Sequence, residues 1–401
     1  MSIENMLSRT VASMTESATL RMAQKARDLA AKGIEVISLS IGEPDFDTPE
    51  HIKQAAVEGL KKSYTKYTPV TGLPELKNAI CQKLKRDNGL DYVASEIIVS
   101  NGAKQSIANV CMSLLNPGDE VIIFAPYWVS YLDIVRFCQG TPIVVAAGVE
   151  HDYKVSARQL EAAITGKTKL VIFSSPCNPS GSVFTRDELA EIADVVRQHP
   201  GFLVISDEIY EYINFDGEHC SLASFDGMKE RVALVNGMSK GFSMTGWRLG
   251  YMAGPAWLVS ACNKVQGQIT SGANSFGQYA AVTALLSDLG PTRQMTAAFK
   301  QRRDLVISLL REIKGMKVNQ PAGAFYIFPD VSAFFGKSNG TCTIHSSDDM
   351  EELLLTHAHV AVVGGASFGS PNCIRLSYAA SESQLREAIS RIKAFLDTFD
   401  L

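Results

Sequence analysis

Seven short apolar runs, most of them rich in β-branched residues and separated by stretches of helical pattern, restrict this chain more than any other feature. They fall at 96–99, 120–124, 141–145, 170–173, 202–205, 232–235 and 249–253. Several are apolar on both faces, as strands are when helices cover both sides of a sheet. Helix-start signals lie between them. Thr48-Pro49 reads as a cap before a proline in the first helical position. Ser156-x-x-Gln159 and Thr185-x-x-Glu188 read as capping boxes. The pattern predicts an α/β fold, with a mostly parallel, doubly wound seven-stranded sheet sandwiched by helices over residues 46–288. The last third differs: a helical stretch over 292–314, strands at 324–328 and 374–378, and a final helix from Ser381-x-x-Gln384 to about Thr398. That is an α+β pattern. A smaller domain is therefore expected over 289–401, and residues 1–45 are assigned to it although periodicity does not decide that segment.

Composition narrows the partners. Subtracting 42 acidic from 38 basic residues leaves −4, which gives no electrostatic reason to expect nucleic acid or an anionic membrane. The 46% hydrophobic content supplies a sizeable core, and 401 residues suggest two or three domains at ~150 residues each. The longest apolar runs, such as 121–125 and 143–147, fall far short of the ~18 residues needed to span a bilayer. Glu4 and Glu16 and the lack of an early apolar stretch argue against a secretory signal. Eight scattered cysteines with no CxxC pair read as reduced thiols, so a cytoplasmic protein is expected.

In open α/β sheets ligands bind beyond the carboxyl ends of the strands. Five of the predicted strand ends carry Asn101-Gly102-Ala103-Lys104, Pro126-Tyr127-Trp128, Asn178-Pro179-Ser180-Gly181, Ser206-Asp207-Glu208-Ile209-Tyr210 and Ser239-Lys240-Gly241. Each has an ordinary reading alone. Asn-Pro-Ser-Gly is a common turn, Asp207 could cap a helix, and Trp128 beside tyrosines could simply pack. Other nucleotide sites fail: no GxxxxGK[ST] is present, and Gly364-Gly365-Ala366-Ser367-Phe368-Gly369 lacks the dinucleotide spacing. His357-Ala358-His359 has the wrong spacing for a helical metal pair, and no metal is expected.

Jointly, the order Asn178, Asp207, Tyr210, Lys240, Arg248, Arg375 is far more specific than any member. It resembles the class I aminotransferases, pyridoxal-phosphate enzymes of fold type I. The matching motifs are Asn-Pro-Ser-Gly (178–181), Ser-Asp-Glu-Ile-Tyr (206–210), Ser-Lys-Gly-Phe-Ser-Met-Thr-Gly-Trp-Arg-Leu-Gly (239–250) and Asn-x-Ile-Arg-Leu-Ser-Tyr (372–378). Gly-Glu-Pro-Asp-Phe-Asp-Thr-Pro (42–49), Lys-Tyr-Thr-Pro-x-x-Gly (66–72) and Pro-Tyr-Trp-Val-Ser-Tyr (126–131) extend the likeness over nearly the whole chain. The Tyr-Trp-Val-Ser-Tyr stretch is similar to that of an aspartate-using subgroup.

The resemblance implies roles. Lys240 would form the internal Schiff base with pyridoxal 5′-phosphate and shuttle the substrate α-proton. Asp207 would pair with the pyridinium nitrogen, Asn178 and Tyr210 would bond the ring's phenolic oxygen, and Trp128 would stack on the ring. Arg248, Ser239 and the backbone of Gly102 and Ala103 would hold the phosphate at a helix start. A tyrosine matching Tyr67 reaches it from the neighbouring subunit in this family, which implies a homodimer. Arg375 would clamp the α-carboxylate in bidentate fashion, assisted by the Gly42 backbone. Trp128 and Asn178 also border the substrate, and Lys104 would contact a side-chain carboxylate. The expectation is ping-pong transfer from aspartate to 2-oxoglutarate. Open beside it are the same machinery with aromatic, alanine or prephenate/glutamate specificity, a β-eliminating lyase, and a non-catalytic cofactor-bound regulator.

Overall fold

The computed structural model describes residues 6–12 and 14–400, apart from the Arg9 side chain. The central sheet has seven strands in the spatial order Ile97–Ser100, Gly250–Ala253, Val232–Gly237, Leu203–Asp207, Thr168–Ser174, Glu120–Ala125, Thr141–Ala146. Gly250–Ala253 runs antiparallel to both neighbours and every other pairing is parallel. Apart from the edge strand Thr141–Ala146, the sheet is buried on two sides, so alternate residues of one strand enter different cores. Val171 and Phe173 join a cluster with Val204 and Leu234, whereas Leu170 and Ile172 join one with Ile205 and Val235. This double burial is why the strands read as continuous apolar runs.

A third core holds the C-terminal elements together. Phe299, Val306 and Leu310 of the helix Gly290–Leu310 pack with Tyr326, Ile374, Leu376, Ile389 and Ile392. Here Val363–Gly364, Ile374–Ser377 and Tyr326–Ile327 form a small antiparallel sheet. The short strand Ile37–Ser38 pairs in parallel with Val360–Ala361. Beside it the helix Ala18–Ala31 is tied down by ion pairs from Arg21 to Glu351, at 3.0 Å, and from Lys25 to Glu352.

Three capping boxes form where the sequence predicts them, at Ser156/Gln159, Thr185/Glu188 and Ser381/Gln384. The Thr48 reading is corrected. Pro49 itself takes the cap position of Glu50–Lys61, without a side-chain bond, and the Thr48 hydroxyl instead donates to the Ser243 carbonyl at 2.6 Å and accepts from Trp247 at 3.1 Å. Tertiary partners took the hydroxyl that a local cap would have used. Among the described residues no helix is long and apolar enough to cross a membrane.

Candidate active site

The parallel strands deliver their carboxyl ends to one edge, and a cavity of about 520 Å³ opens there. Leu203–Asp207 ends in Asp207, which is 4% exposed. Its two oxygens accept from the Tyr131 hydroxyl at 2.6 Å and the Ile209 amide at 3.2 Å. Burial disfavours the charged carboxylate and raises its pKa to about 6; those two hydrogen bonds and nearby Lys240 oppose the rise.

Lys240 follows the next strand, Val232–Gly237, and its Nζ donates to the Gly42 carbonyl at 2.6 Å. Burial pushes this amine down to about 8, with Arg375 and Arg248 adding repulsion and Glu43 and Asp207 pulling the other way. The amine is therefore poised to lose its proton near neutrality, as a group that must act as a base requires.

Arg375, on Ile374–Ser377, is 1% exposed. Its guanidinium donates to Asn178 Oδ1 at 3.0 Å and to the Ser40 carbonyl at 2.6 Å, and lies 4.6 Å from the Tyr326 ring centre and 4.9 Å from that of Phe368. Its Nε is buried with no partner among the described residues. A guanidinium held so firmly at the cavity wall, with only two of its five N–H donors engaged among the described residues, suits an anionic acceptor in the cavity.

Arg248 has a left-handed backbone, φ 55°, and donates to the Thr245 carbonyl at 2.9 Å. It sits against the start of the helix Ala103–Leu114. A Cβ on Gly102 would stand 2.5 Å from Arg248 Nη2, and one on Gly250 would stand 2.3 Å from the Ala103 nitrogen. Only glycines at both positions let the helix start and the arginine share this corner. Lys104, on the first turn, lies 4.7 Å from the Trp128 ring centre; burial, then Arg248, lowers its pKa.

Of the residues predicted from sequence, Gly42, Ala103, Lys104, Trp128 and Asn178 line this cavity together with Asp207, Tyr210, Ser239, Lys240, Arg248 and Arg375. Gly102 stands just behind Arg248. Tyr67 is not brought in: it is 98% exposed on its own chain. Two neighbours escaped the sequence reading. Tyr326, whose hydroxyl shares a 2.8 Å hydrogen bond with that of Tyr210, stands on a two-residue strand that carries no site motif. Tyr131 closed a quoted motif, but nothing in its spacing pointed to Asp207. The helix Ala18–Ala31 also forms a wall, through Thr19, Leu20, Ala23 and Arg27.

A separate buried network lies beside Asp207. Glu208 accepts from Ser206 at 2.9 Å and Ser221 at 2.7 Å and pairs with His219 at 2.8 Å, while Glu211 pairs with Lys83 and accepts from Asn236 at 2.9 Å. Glu208, Glu211 and His219 are close enough to ligate a metal ion, but the Lys83 ammonium already answers Glu211 and would repel a second cation.

The model of the family described as aminotransferase class I and II matches residues 34–392. The aspartate/prephenate aminotransferase of Cereibacter sphaeroides is 48% identical over 393 residues, covering 97% of this chain and 98% of that protein. The aspartate aminotransferase of Bacillus sp. is 44% identical over 98% of this chain and 100% of its own length. Among solved structures, the aspartate aminotransferase of Rhizobium meliloti superposes with a TM-score of 0.95 at 42% identity, over 98% of this chain and 99% of that one. That of Thermus thermophilus with maleate gives 0.91 at 39% identity, over 97% and 99%.

Proposed function

The chain belongs to the class I and II aminotransferase family, and from that premise we propose that it is a pyridoxal 5′-phosphate-dependent aspartate aminotransferase. It would move the amino group of L-aspartate to 2-oxoglutarate in a ping-pong cycle, releasing oxaloacetate and L-glutamate. The observation that carries this reading is the buried Arg375 guanidinium, with donors to spare, lining the cavity that also holds Lys240 and Asp207.

The residues present fit the cofactor. Five cations (Arg27, Lys104, Lys240, Arg248, Arg375) line the cavity against two carboxylates (Glu43, Asp207), so its complement is anionic. Arg248, Ser239 and the backbone at Gly102 and Ala103 would hold a phosphate, Trp128 would cover a ring face, and Asn178 and Tyr210 would bond a ring oxygen. Asp207 would meet the ring nitrogen. The chemistry supplied by the bound cofactor is a carbonyl that can carry an amino group and a ring that accepts the electron pair left at the α-carbon.

The chain's own residues do the rest. Arg375 binds the α-carboxylate with the edge that its internal hydrogen bonds leave free, which fixes the α-hydrogen toward Lys240. Lys240, neutral above its lowered pKa, takes the α-proton and returns it. Lys104 answers a second carboxylate, which selects dicarboxylic substrates. The name of the Bacillus relative and the maleate of the Thermus structure support that selection. Tyr67, exposed on its own chain, is assigned to the cofactor phosphate of a partner subunit in a homodimer. All eight cysteines are free, in keeping with a reducing, cytoplasmic setting.

Absorbance of the purified protein from 300 to 500 nm tests the reading. A band above 350 nm should move toward 330 nm on adding aspartate and return with 2-oxoglutarate. A band indifferent to aspartate would refute the substrate, and no band after adding pyridoxal phosphate would refute the enzyme. A second reading, with prephenate as amino acceptor, is favoured by relatives named aspartate/prephenate aminotransferase; turnover with prephenate in place of 2-oxoglutarate decides it.

A further inference from the structure

We propose that Tyr131 is a positioning residue for this reaction: its phenol O–H keeps the Asp207 carboxyl ionised and turned toward the cavity. The inference rests on the functional reading above, since Asp207 is useful to a ring nitrogen only as an anion.

The geometry is specific. Tyr131 stands at the start of the helix Ser130–Phe137, is 1% exposed, and directs its hydroxyl at Asp207 Oδ2 across 2.6 Å. That length is typical of a hydrogen bond from a hydroxyl to a carboxylate. Its ring meets Trp128 edge-on, 5.6 Å between centres at 84°, so the indole fixes the direction in which the phenol points. With Ile209 on Oδ1, each carboxylate oxygen accepts one bond from the protein and keeps lone pairs for a ligand.

A phenol suits this task better than another donor. Burial, reinforced by the adjacent carboxylate, drives the Tyr131 hydroxyl well above its ordinary pKa, so it stays a donor at every working pH. A permanent donor favours the anionic over the neutral carboxyl. The other groups around Asp207 do not replace it. Ser174, its register partner on Thr168–Ser174, turns its buried hydroxyl toward the Tyr131 phenol and the Cys177 thiol and not toward the Asp207 carboxylate. Lys240 supplies attraction only while protonated, Tyr210 bonds Tyr326, and Glu208 is a like charge engaged with His219. Without the phenol, burial would dominate and Asp207 would hold its proton to higher pH.

The test is the dissociation constant of pyridoxal 5′-phosphate for the full-length chain from pH 5 to 9, in wild type, Tyr131→Phe, Asp207→Asn and the double variant. Phe keeps the ring against Trp128, and thermal unfolding controls for packing. Tyr131→Phe should weaken binding by up to about tenfold at pH 5, the effect of one pKa unit, with the gap narrowing to about twofold at pH 7 and closing above pH 8. On the Asp207→Asn background it should change nothing, because no ionisable partner remains. A Tyr131→Phe curve that superimposes on wild type would overturn the proposal, as would an equal loss in the Asn background. A wild-type chain that binds no cofactor would overturn the functional reading itself, and the inference with it.

Discussion

Lys240 and Asp207 carry opposite charges when ionised, yet burial moves both toward neutrality, one pKa down to about 8 and the other up to about 6. Between these values both are still charged; above pH 8 the amine becomes a base while Asp207 stays anionic. Modification of the cofactor-free chain by an amine-directed reagent should therefore show Lys240 reacting with a midpoint near pH 8, well below an exposed lysine; a midpoint above 10 would contradict the burial argument. Lys240→Ala should abolish the visible band and nearly all turnover, and a variant keeping substantial activity would remove Lys240 from its role. Lys104→Ala tests substrate choice. Losing a charge-assisted bond of roughly 1.5–3 kcal/mol should raise KM for aspartate on the order of ten- to a hundredfold, with far less effect for alanine. Equal effects on both donors would assign Lys104 to the cofactor phosphate. At this scale the sequence was informative because the chemistry demands particular atoms: an amine, a carboxylate and a guanidinium. Tyr326 and Tyr131 were not legible, because a phenol's role depends on what lies opposite it in space.

Elements position these residues by how they start and stop. The capping box at Thr185 satisfies its own amide and that of Glu188 in the helix Arg186–Gln198, none of whose residues lines the cavity. Thr185→Ala should cost about 1 kcal/mol, read as a lower urea midpoint with kcat unchanged; a changed kcat would contradict the separation of this helix from the chemistry. Gly250→Ala should lower both stability and cofactor affinity. Its Cβ would stand 2.3 Å from the Ala103 nitrogen and 2.5 Å from the Gly102 carbonyl carbon, so the start of the helix that borders Arg248 must shift; a folded variant with wild-type cofactor affinity would contradict the role given to this corner. Boxes at 156, 185 and 381 were readable because they are local contracts between residues three apart. Thr48 misled for the opposite reason: its partners, Ser243 and Trp247, are nearly 200 residues away.

For the whole molecule, the question is what completes the site. Tyr67 stands in solvent on its own chain, and the dimer reading gives it a partner's phosphate to bind. Mixing Lys240→Ala chains with Tyr67→Ala chains should then restore activity above either alone, since one site of each mixed dimer receives an intact Lys240 and an intact Tyr67. No recovery after subunit exchange would place Tyr67 outside the partner's site. The alternation of buried strands and helices determined the sheet from sequence alone, because strands covered on both faces must be apolar on both. The motif order likewise picked out strand ends that converge on one cavity. Tertiary structure alone decided that Arg375 spans Asn178 and Ser40 with one nitrogen left over, that Tyr131 reaches Asp207, and that burial shifts two pKa values toward each other. Those facts depend on distances between residues far apart in the chain and on the exclusion of water, and neither is a property of a sequence until it has folded.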